Sequence, residues 1–268
     1  MAGKRMYNVN DDFFSTWNMD MAYLLGFITA DGYISRQHEL VVNISYNDVE
    51  LLQYMKRVME IENPINVYDD GNYKMCALSI HSYKLCNDLY ILNVTNRKTY
   101  TIVAPPFIPE DMIKYYIRGL FDGDGTISVR RRKEQHQLSA DVCITTASEQ
   151  FVYQIHDILD RLKVNSRINV YNDKREGRVT LYRLFIGGQA VINFGELIYD
   201  SNGFCLKRKY DKFNEYYTAR YITCIKCNNK YFKIRYSSNI CDNCNDLLIK
   251  SSEAICSDTL NSNILKDV

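Results

Sequence analysis

The sequence predicts an α/β (α+β) fold made of two pseudo-symmetric halves, each with the element order αββαββα. One observation behind this prediction is a pair of apolar segments, residues 24–32 and 117–125, which both have small residues four apart and end in Asp-Gly. The other is that the sequence after these segments repeats in the same order. An Ile-Asn-Val-Tyr stretch occurs at 65–68 and again at 168–171, and an Arg-Lys pair occurs in each half. Such an internal repeat indicates two copies of one structural unit.

Local patterns predict the elements of the first half in order. Asn18 or Asp20 can cap a helix through the first Asp-Gly segment, because short polar side chains accept hydrogen bonds from free N–H groups at a helix start. Alternation of apolar and polar residues over 32–46 predicts a β-hairpin, and helical spacing predicts a helix over 49–59. The remaining patterns predict strands at 65–68 and 74–80 and a helix at 82–92.

The same order repeats after a linker marked by Pro105-Pro106 and ends in a helix at 207–217. The chain is therefore predicted to divide into four segments. These are a first half-domain at 1–104, a second half-domain at 105–218, a small cysteine-containing module at 219–250 and a flexible tail at 251–268.

The bulk composition fits an intracellular globular protein. Of the 268 residues, 46% are hydrophobic and 13% aromatic, which suits a packed core rather than a disordered chain. No apolar run approaches the ~18 residues that a membrane-spanning helix needs, and no signal peptide is legible, so we expect neither a membrane partner nor secretion. The net charge of +1 does not favour nucleic-acid binding, but residues 130–133 and 203–236 are rich in Lys and Arg. Local patches matter more than the total charge, because screening limits phosphate attraction to short range.

The two Asp-Gly segments resemble the LAGLIDADG motif of homing endonucleases, in the subclass that carries two motifs in one chain. The first copy matches at Leu24, Gly26, Ile28, Ala30, Asp31 and Gly32. The second copy matches at Gly119, Asp122, Asp124 and Gly125. Thr29 departs from the acidic residue that is usual at the sixth position of the motif, whereas Asp122 keeps it. The resemblance covers residues 20–217 and implies two motif helices packed at the centre, with curved antiparallel sheets that bind DNA.

The chemistry of the two final aspartates agrees with this resemblance. An anion at a helix C-terminus is disfavoured by up to ~1 kcal/mol, so a repeated placement there indicates that a cation meets both carboxylates. Hard Mg²⁺ prefers carboxylate and water ligands. We therefore expect Asp31 and Asp124 to bind Mg²⁺ or Mn²⁺ for phosphodiester hydrolysis. The small residues expected at the helix interface are Gly26, Ala30, Gly119 and Gly123.

The resemblance also implies roles for basic and polar side chains. Lys98 and Lys209 are expected to contact the scissile phosphate or the attacking water, with plain phosphate binding or solvent exposure as the alternative. Strand side chains that point away from the helices are expected to read base edges in the major groove. These candidates are Ser35, Gln37, Asn43, Arg130, Arg132, Gln137, Arg167, Asn169, Arg178 and Arg183.

Four of the nine cysteines form two Cys-x-x-Cys pairs with 13 residues between the pairs. The pairs are Cys224 with Cys227 and Cys241 with Cys244. This spacing is typical of a structural four-thiolate Zn²⁺ site, although the usual gap is slightly longer, and disulfides or free thiols are the alternative. We expect a zinc ribbon that lays basic side chains on DNA, and a protein-contact module is the alternative. The basic side chains in question are Lys230, Lys233 and Arg235.

These observations predict a monomeric, site-specific endonuclease that cuts both strands of a long double-stranded DNA target. No N-terminal Cys or Ser nucleophile block and no C-terminal His-Asn is legible, which favours an intron-encoded or free-standing enzyme over an intein. We expect it in a microbe, a phage-infected cell or an organelle. The alternatives on the same scaffold are a non-catalytic maturase that binds its own intron RNA and a DNA-binding regulator. A further alternative is a zinc-dependent scaffold for protein contact.

Overall fold

The computed structural model describes residues 6–131, 138–172, 179–199, 203–232, 239–241 and 243–246. Several predicted DNA contacts and the predicted tail at 251–268 lie outside the described residues and stay predictions. The contacts in question are those of Arg132, Gln137, Arg178, Lys233 and Arg235, and the side chain of Lys230.

Both halves contain the predicted order of helices and strands. The first half consists of α1 (Met19–Asp31), β1 (Gly32–Ile34), β2 (Glu39–Ser45), α2 (Val49–Val58), β3 (Asn66–Asp69), β4 (Lys74–His81) and α3 (Tyr83–Ile91). The second half consists of α4 (Ile113–Asp124), β5 (Gly125–Arg131), β6 (Leu138–Thr146), α5 (Glu149–Arg161), β7 (Arg167–Tyr171), β8 (Leu181–Gly187) and α6 (Gln189–Ile198). The predicted fold class, with two αββαββα halves, is confirmed.

Each half folds its four strands into one antiparallel sheet with the same topology. The strand orders are β1-β2-β4-β3 and β5-β6-β8-β7. In both sheets the strand that follows the motif helix begins at a glycine, and Gly32 pairs with Val42 as Gly125 pairs with Ile144. Buried and exposed residues alternate along β2 and β6, because successive strand side chains point to opposite faces. One face of each sheet therefore joins the core, and the other carries polar side chains.

The two motif helices are the most buried elements of the chain. Every residue of α1 from Met21 to Thr29 is buried, and so is every residue of α4 from Tyr115 to Asp122. A helix that is buried on all sides belongs to the interior of a fold. The side chain of Asn18 accepts a hydrogen bond from the Met21 N–H at 2.9 Å, so Asn18 is the cap of α1. Asp20, the other predicted cap, instead accepts a 2.6 Å hydrogen bond from the Tyr54 hydroxyl.

Two glycines allow α1 and α4 to touch through their backbones. A β-carbon at Gly26 would overlap the Tyr116 carbonyl oxygen and lie 2.8 Å from the Leu120 nitrogen. A β-carbon at Gly119 would overlap the Tyr23 carbonyl oxygen and lie 2.8 Å from the Phe27 nitrogen. The two sets of contacts are equivalent under the repeat. The helices therefore cross at a pseudo-twofold axis between the glycines.

The chain packs into two compact units, residues 1–213 and 214–268. Both halves of the repeat belong to the first unit, from which α7 (Lys207–Thr218) continues into the second. The first half has only a 3₁₀ turn, Lys98–Tyr100, where the second half begins α7. In the second unit, β9 (Tyr221–Thr223) pairs with β10 (Lys230–Phe232) in an antiparallel hairpin. Among the described residues, none of the helices has the length and apolar content needed to cross a membrane.

Replacement of Gly119 by alanine is expected to lower the free energy of unfolding by about 2 kcal/mol, because the added methyl forces the helix backbones apart. This loss should occur although alanine is the better helix former. Urea unfolding followed by circular dichroism measures it. The control is Asn87→Ala, at an exposed position of α3, which should leave stability unchanged or slightly raised. A Gly119→Ala variant as stable as the wild type would show that the helices do not pack this closely.

Candidate active site at the ends of the central helices

Asp31 and Asp124 are the last residues of α1 and α4 and lie close together across the helix interface. The Asp31 Oδ2 atom is 3.5 Å from the position that a β-carbon would take at Gly123 in the opposite helix. A β-carbon there would also overlap that of Ala30, so only one of these two equivalent positions can carry a methyl group. The small residues thus set the distance between the carboxylates, and both side chains keep contact with solvent.

The surroundings of the two carboxylates disfavour their charged forms. Partial burial and, to a smaller extent, the charge of Asp31 raise the pKa of Asp124 to about 6, against the lowering effect of Lys98 and Lys209. Burial also raises the pKa of Asp31, against the lowering effect of Lys209 and Lys98. Two repelling carboxylates at the negative ends of two helices would gain from a shared cation.

Lys98 and Lys209 bind the carbonyl oxygens that end the two motif helices. The Lys98 ammonium donates to the carbonyls of Ala30 at 3.2 Å and Gly32 at 2.6 Å. The Lys209 ammonium donates to the carbonyls of Phe121 at 2.6 Å, Asp122 at 2.7 Å and Gly123 at 3.2 Å. The last carbonyls of a helix have no partner within the helix, so a lysine there stabilises both the backbone and the dipole. The predicted contacts of both lysines with phosphate or water stay predictions.

Burial at this position disfavours the charged form of both lysines and lowers their pKa values. Burial lowers the pKa of Lys209 to about 8, against the raising effect of Asp122. Burial also lowers the pKa of Lys98, opposed by Asp124 and Asp31. Beside Lys98 an open cleft of about 260 Å³ is lined from both halves, by Lys98 and Thr29 on one side and by Asp124 and Thr145 on the other. Both lysines therefore lie within the electrostatic reach of both aspartates.

The two halves differ at the sixth position of the motif, which is Thr29 in the first half and Asp122 in the second. Asp122 is buried and accepts hydrogen bonds from the Tyr23 hydroxyl at 2.9 Å and the Leu206 N–H at 2.8 Å, both at Oδ2. At the equivalent place, the Thr29 hydroxyl donates to the Leu25 carbonyl within its own helix at 2.7 Å. The Tyr116 hydroxyl, which is equivalent to that of Tyr23, has no hydrogen bond among the described residues. The cross-helix bond between tyrosine and acid is thus kept on one side only.

An ion pair that the sequence did not reveal joins the two halves. The Arg208 guanidinium donates to both carboxylate oxygens of Asp48, with Nε–Oδ1 and Nη2–Oδ2 distances of 2.8 Å. Asp48 lies at the N-cap position of α2 but makes no capping hydrogen bond, because Arg208 occupies its carboxylate. Its counterpart Ser148 does cap α5, by accepting from the Phe151 N–H at 3.2 Å. Arg208 precedes Lys209, so the pair anchors the start of α7 against the first half.

The outer face of the second sheet, the face away from the buried side chains, carries all the predicted contacts of that sheet that the structure describes. Strand pairing places Arg167 opposite Phe185, and Asn169 opposite Arg183. Arg130 lies on the same face of β5 and forms a 2.9 Å ion pair with Asp141. On the first sheet, Asn43 is exposed in β2, whereas the Ser35 hydroxyl accepts from the Gln37 N–H in the turn before it.

The four predicted zinc cysteines form one cluster in the second unit. The sulfur atoms of Cys224, Cys227, Cys241 and Cys244 all lie within 4.8 Å of one another. The Cys227 and Cys241 sulfurs are 3.7 Å apart, close to the ~3.8 Å edge of a tetrahedron with 2.3 Å Zn–S bonds. Backbone N–H groups that point at the Cys224 sulfur lower its pKa to about 6, which favours the thiolate. None of the eight cysteines in the described part of the chain forms a disulfide.

The family comparison assigns the second half of the repeat. Residues 111–199 match a family model described as a LAGLIDADG-like domain. This stretch contains α4, both hairpins of the second sheet and the helices that pack on it. The second half of the repeat is thus similar to a LAGLIDADG-like domain, and the first half repeats its order of elements and its sheet topology. The resemblance of the motifs is confirmed at this level.

Two curated proteins of Methanocaldococcus jannaschii align with 200 residues of the chain. One is a probable translation initiation factor IF-2, at 22% identity, and the other is a glutamine–fructose-6-phosphate aminotransferase (isomerizing), at 27% identity. Each alignment covers 72% of this chain, but only 16% of the first protein and 17% of the second. The chain thus spans about a sixth of the length of these relatives.

Solved structures that are similar to this chain include two homing endonucleases and a DUF199/WhiA protein. The LAGLIDADG homing endonuclease I-GzeII, in complex with its DNA target, has a TM-score of 0.49 and 12% identity over 75% of this chain and 89% of that one. The endonuclease I-LtrWI, bound to target DNA, has a TM-score of 0.48 and 14% identity over 77% and 90%. Full-length DUF199/WhiA from Thermatoga maritima has a TM-score of 0.46 and 17% identity over 94% and 73%.

A double-mutant cycle between Asp48→Asn and Arg208→Gln is expected to give a coupling energy of about 1 kcal/mol in urea unfolding, because the pair is bidentate and its acid is nearly buried. The matched control is Lys207 with Asp211, an ion pair in the same helix with both partners exposed, for which we expect less than ~0.5 kcal/mol. Equal coupling in the two cycles would contradict the anchoring role of Arg208.

Proposed function

We propose that this protein is a site-specific endonuclease that hydrolyses both strands of a long double-stranded DNA target as a monomer. The observation that carries the proposal is the juxtaposition of Asp31 and Asp124 at the ends of two helices whose backbones touch. A merely structural helix pair gains nothing from two carboxylates at its negative ends, since each raises the free energy of the other. The motif resemblance and the LAGLIDADG-like domain at residues 111–199 support the same function.

The donor set at the helix ends fits Mg²⁺ or Mn²⁺. Asp31 and Asp124 supply hard carboxylate oxygens with solvent access, and Mg²⁺ uses few protein ligands together with water and phosphate. When bound there, divalent ions would activate a water and neutralise the leaving oxygen of a phosphodiester. The glycines fix the separation of the carboxylates, and Lys98 and Lys209 fix the helix ends that carry them. The same ammonium groups add positive charge beside the place where the phosphate would lie.

The two sheets offer the surface for DNA. Their outer faces carry the side chains that alternate with the buried ones, and the second sheet presents Arg130, Arg167 and Arg183 there. Arginine is the side chain best suited to contact phosphates and guanine edges. Because the halves differ in sequence, the target site need not be palindromic.

The cysteine cluster fits a structural Zn²⁺, since four sulfurs at tetrahedral spacing leave no open position for a reacting water. We propose that zinc folds the segment around β9 and β10, which is too small to build a core of its own. The module would then contribute a further contact with DNA.

The nuclease proposal is tested on duplexes that the protein itself selects. A random duplex library is bound in Ca²⁺, and the recovered duplexes are incubated with Mg²⁺. The wild type should cut both strands, and Asp31→Asn should keep binding but cut at least about 100-fold more slowly, because a metal ligand is lost. The control Asp157→Asn, on an exposed face of α5, should cut like the wild type.

If wild type and Asp31→Asn bind the selected duplexes equally and neither cuts them, the protein is a non-catalytic DNA-binding regulator. If structured intron RNA competes better than duplex DNA, it is a maturase. Either result would overturn the nuclease proposal.

The zinc proposal predicts about one zinc ion per chain, measured by atomic emission on protein dialysed without chelator. Cys227→Ser should lose the ion, whereas Cys143→Ser, a half-buried thiol on the second sheet, should retain it. Zinc retained in full by Cys227→Ser would contradict the assignment. A loss of zinc without any change in DNA affinity would identify the module as a protein-contact element.

A further inference from the structure

The outer faces of the two sheets differ sharply in charge. In the second sheet, Arg130, Arg167 and Arg183 lie on this face, and Asp141 is the only acid among its strand residues. In the first sheet, the strand residues of the outer face include no lysine or arginine. They are mainly tyrosines, asparagines and small or apolar residues, among them Tyr33, Val41, Asn43, Asn66, Tyr68 and Ala77. Two surfaces related by the repeat are thus chemically distinct.

Two arginines of the second face pack against aromatic rings, and no hydrogen bond of either guanidinium is found within the described part of the chain. The Arg167 guanidinium lies 4.3 Å above the Phe185 ring, and the Arg183 guanidinium lies 5.2 Å from the Tyr171 ring. An arginine packed on an aromatic ring keeps its N–H groups in the plane of the guanidinium, available to a partner at the edge. Arg130 differs, because its charge is neutralised by Asp141.

The first face holds a different set of contacts. Asn43 in β2 and Asn66 in β3 lie on either side of Ala77 in β4, so the two amides flank a small residue. Val41 and Tyr33 are paired neighbours on the same face, and both Tyr33 and Tyr68 are exposed. This face offers amides and apolar surface, without a strand cation.

Arginine, asparagine and apolar side chains favour different bases in a major groove. Arginine donates bidentately to O6 and N7 of guanine, whereas asparagine pairs with N6 and N7 of adenine, and apolar groups contact the thymine methyl. We propose that the two half-sites of the DNA target differ in composition: the half read by the second sheet contains guanines contacted by Arg167 and Arg183, and the half read by the first sheet is rich in A·T pairs. This inference rests on the proposed binding of duplex DNA and not on cleavage.

The test is a binding selection from a random duplex library in Ca²⁺, so that no cleavage is needed. The selected consensus should have one G-containing half and one A·T-rich half. Arg183→Gln should lower the preference for one guanine by about 5- to 150-fold and leave the A·T-rich half unchanged. Asn43→Ala should lower the base preference at one position of the A·T-rich half and leave the guanine preference of the other half unchanged.

Arg131→Gln is the matched control, because Arg131 is also exposed on β5 but belongs to the opposite face from Arg130. It should leave the consensus unchanged. Two halves of similar composition, or a guanine preference that survives Arg183→Gln and Arg167→Gln together, would overturn the inference. Cleavage of selected sites that lack this asymmetry would support the nuclease proposal and contradict the inference about the half-sites. Asymmetric selected sites that are never cut would support the inference and contradict the nuclease proposal.

Discussion

Most of the architecture follows from the close approach of α1 and α4. Gly26 and Gly119 place each helix backbone against a carbonyl oxygen of the other, and a larger residue at either position would separate them. Because both helices end in aspartate and continue directly into a strand, their contact fixes three things together. It sets the distance between Asp31 and Asp124, it sets the positions where β1 and β5 begin, and it relates the two halves by a pseudo-twofold axis.

Lysine capping explains how two carboxylates can persist at the negative ends of the helices. Lys98 and Lys209 satisfy the carbonyls that the helices leave free, and the same charges oppose the rise in pKa of the neighbouring aspartates. The lysines are themselves destabilised by burial, which lowers their pKa values. Each charge is therefore partly offset by an opposite charge beside it.

The two copies of the repeat share the helix pair and the sheet topology, and they differ in the side chains around the helix pair. Tyr23 bonds to Asp122 across the helix pair, whereas Tyr116 faces a threonine that bonds within its own helix. Asp48 pairs with Arg208, whereas its counterpart Ser148 caps a helix. The sheet faces diverge in the same way, since only the second carries strand arginines. Symmetry is retained where backbones touch, because no other residue fits there, and it is lost where side chains meet solvent or a partner.

From the amino-acid sequence alone one can predict the order of elements, the Asn18 cap, the alternation of the strands and the helix-ending aspartates. These depend on periods of 3.6 and 2 residues and on capping within one turn, so neighbouring residues contain the signal. The three-dimensional fold was needed to show that Lys98 and Lys209 bind helix carbonyls, and that the Asp48 carboxylate joins Arg208 instead of capping α2. These contacts join residues far apart in the chain, and the residues next to a charged side chain do not indicate which distant group it will contact. The Asp48–Arg208 pair also requires the two halves to come together, whereas each lysine binds a helix end of its own half.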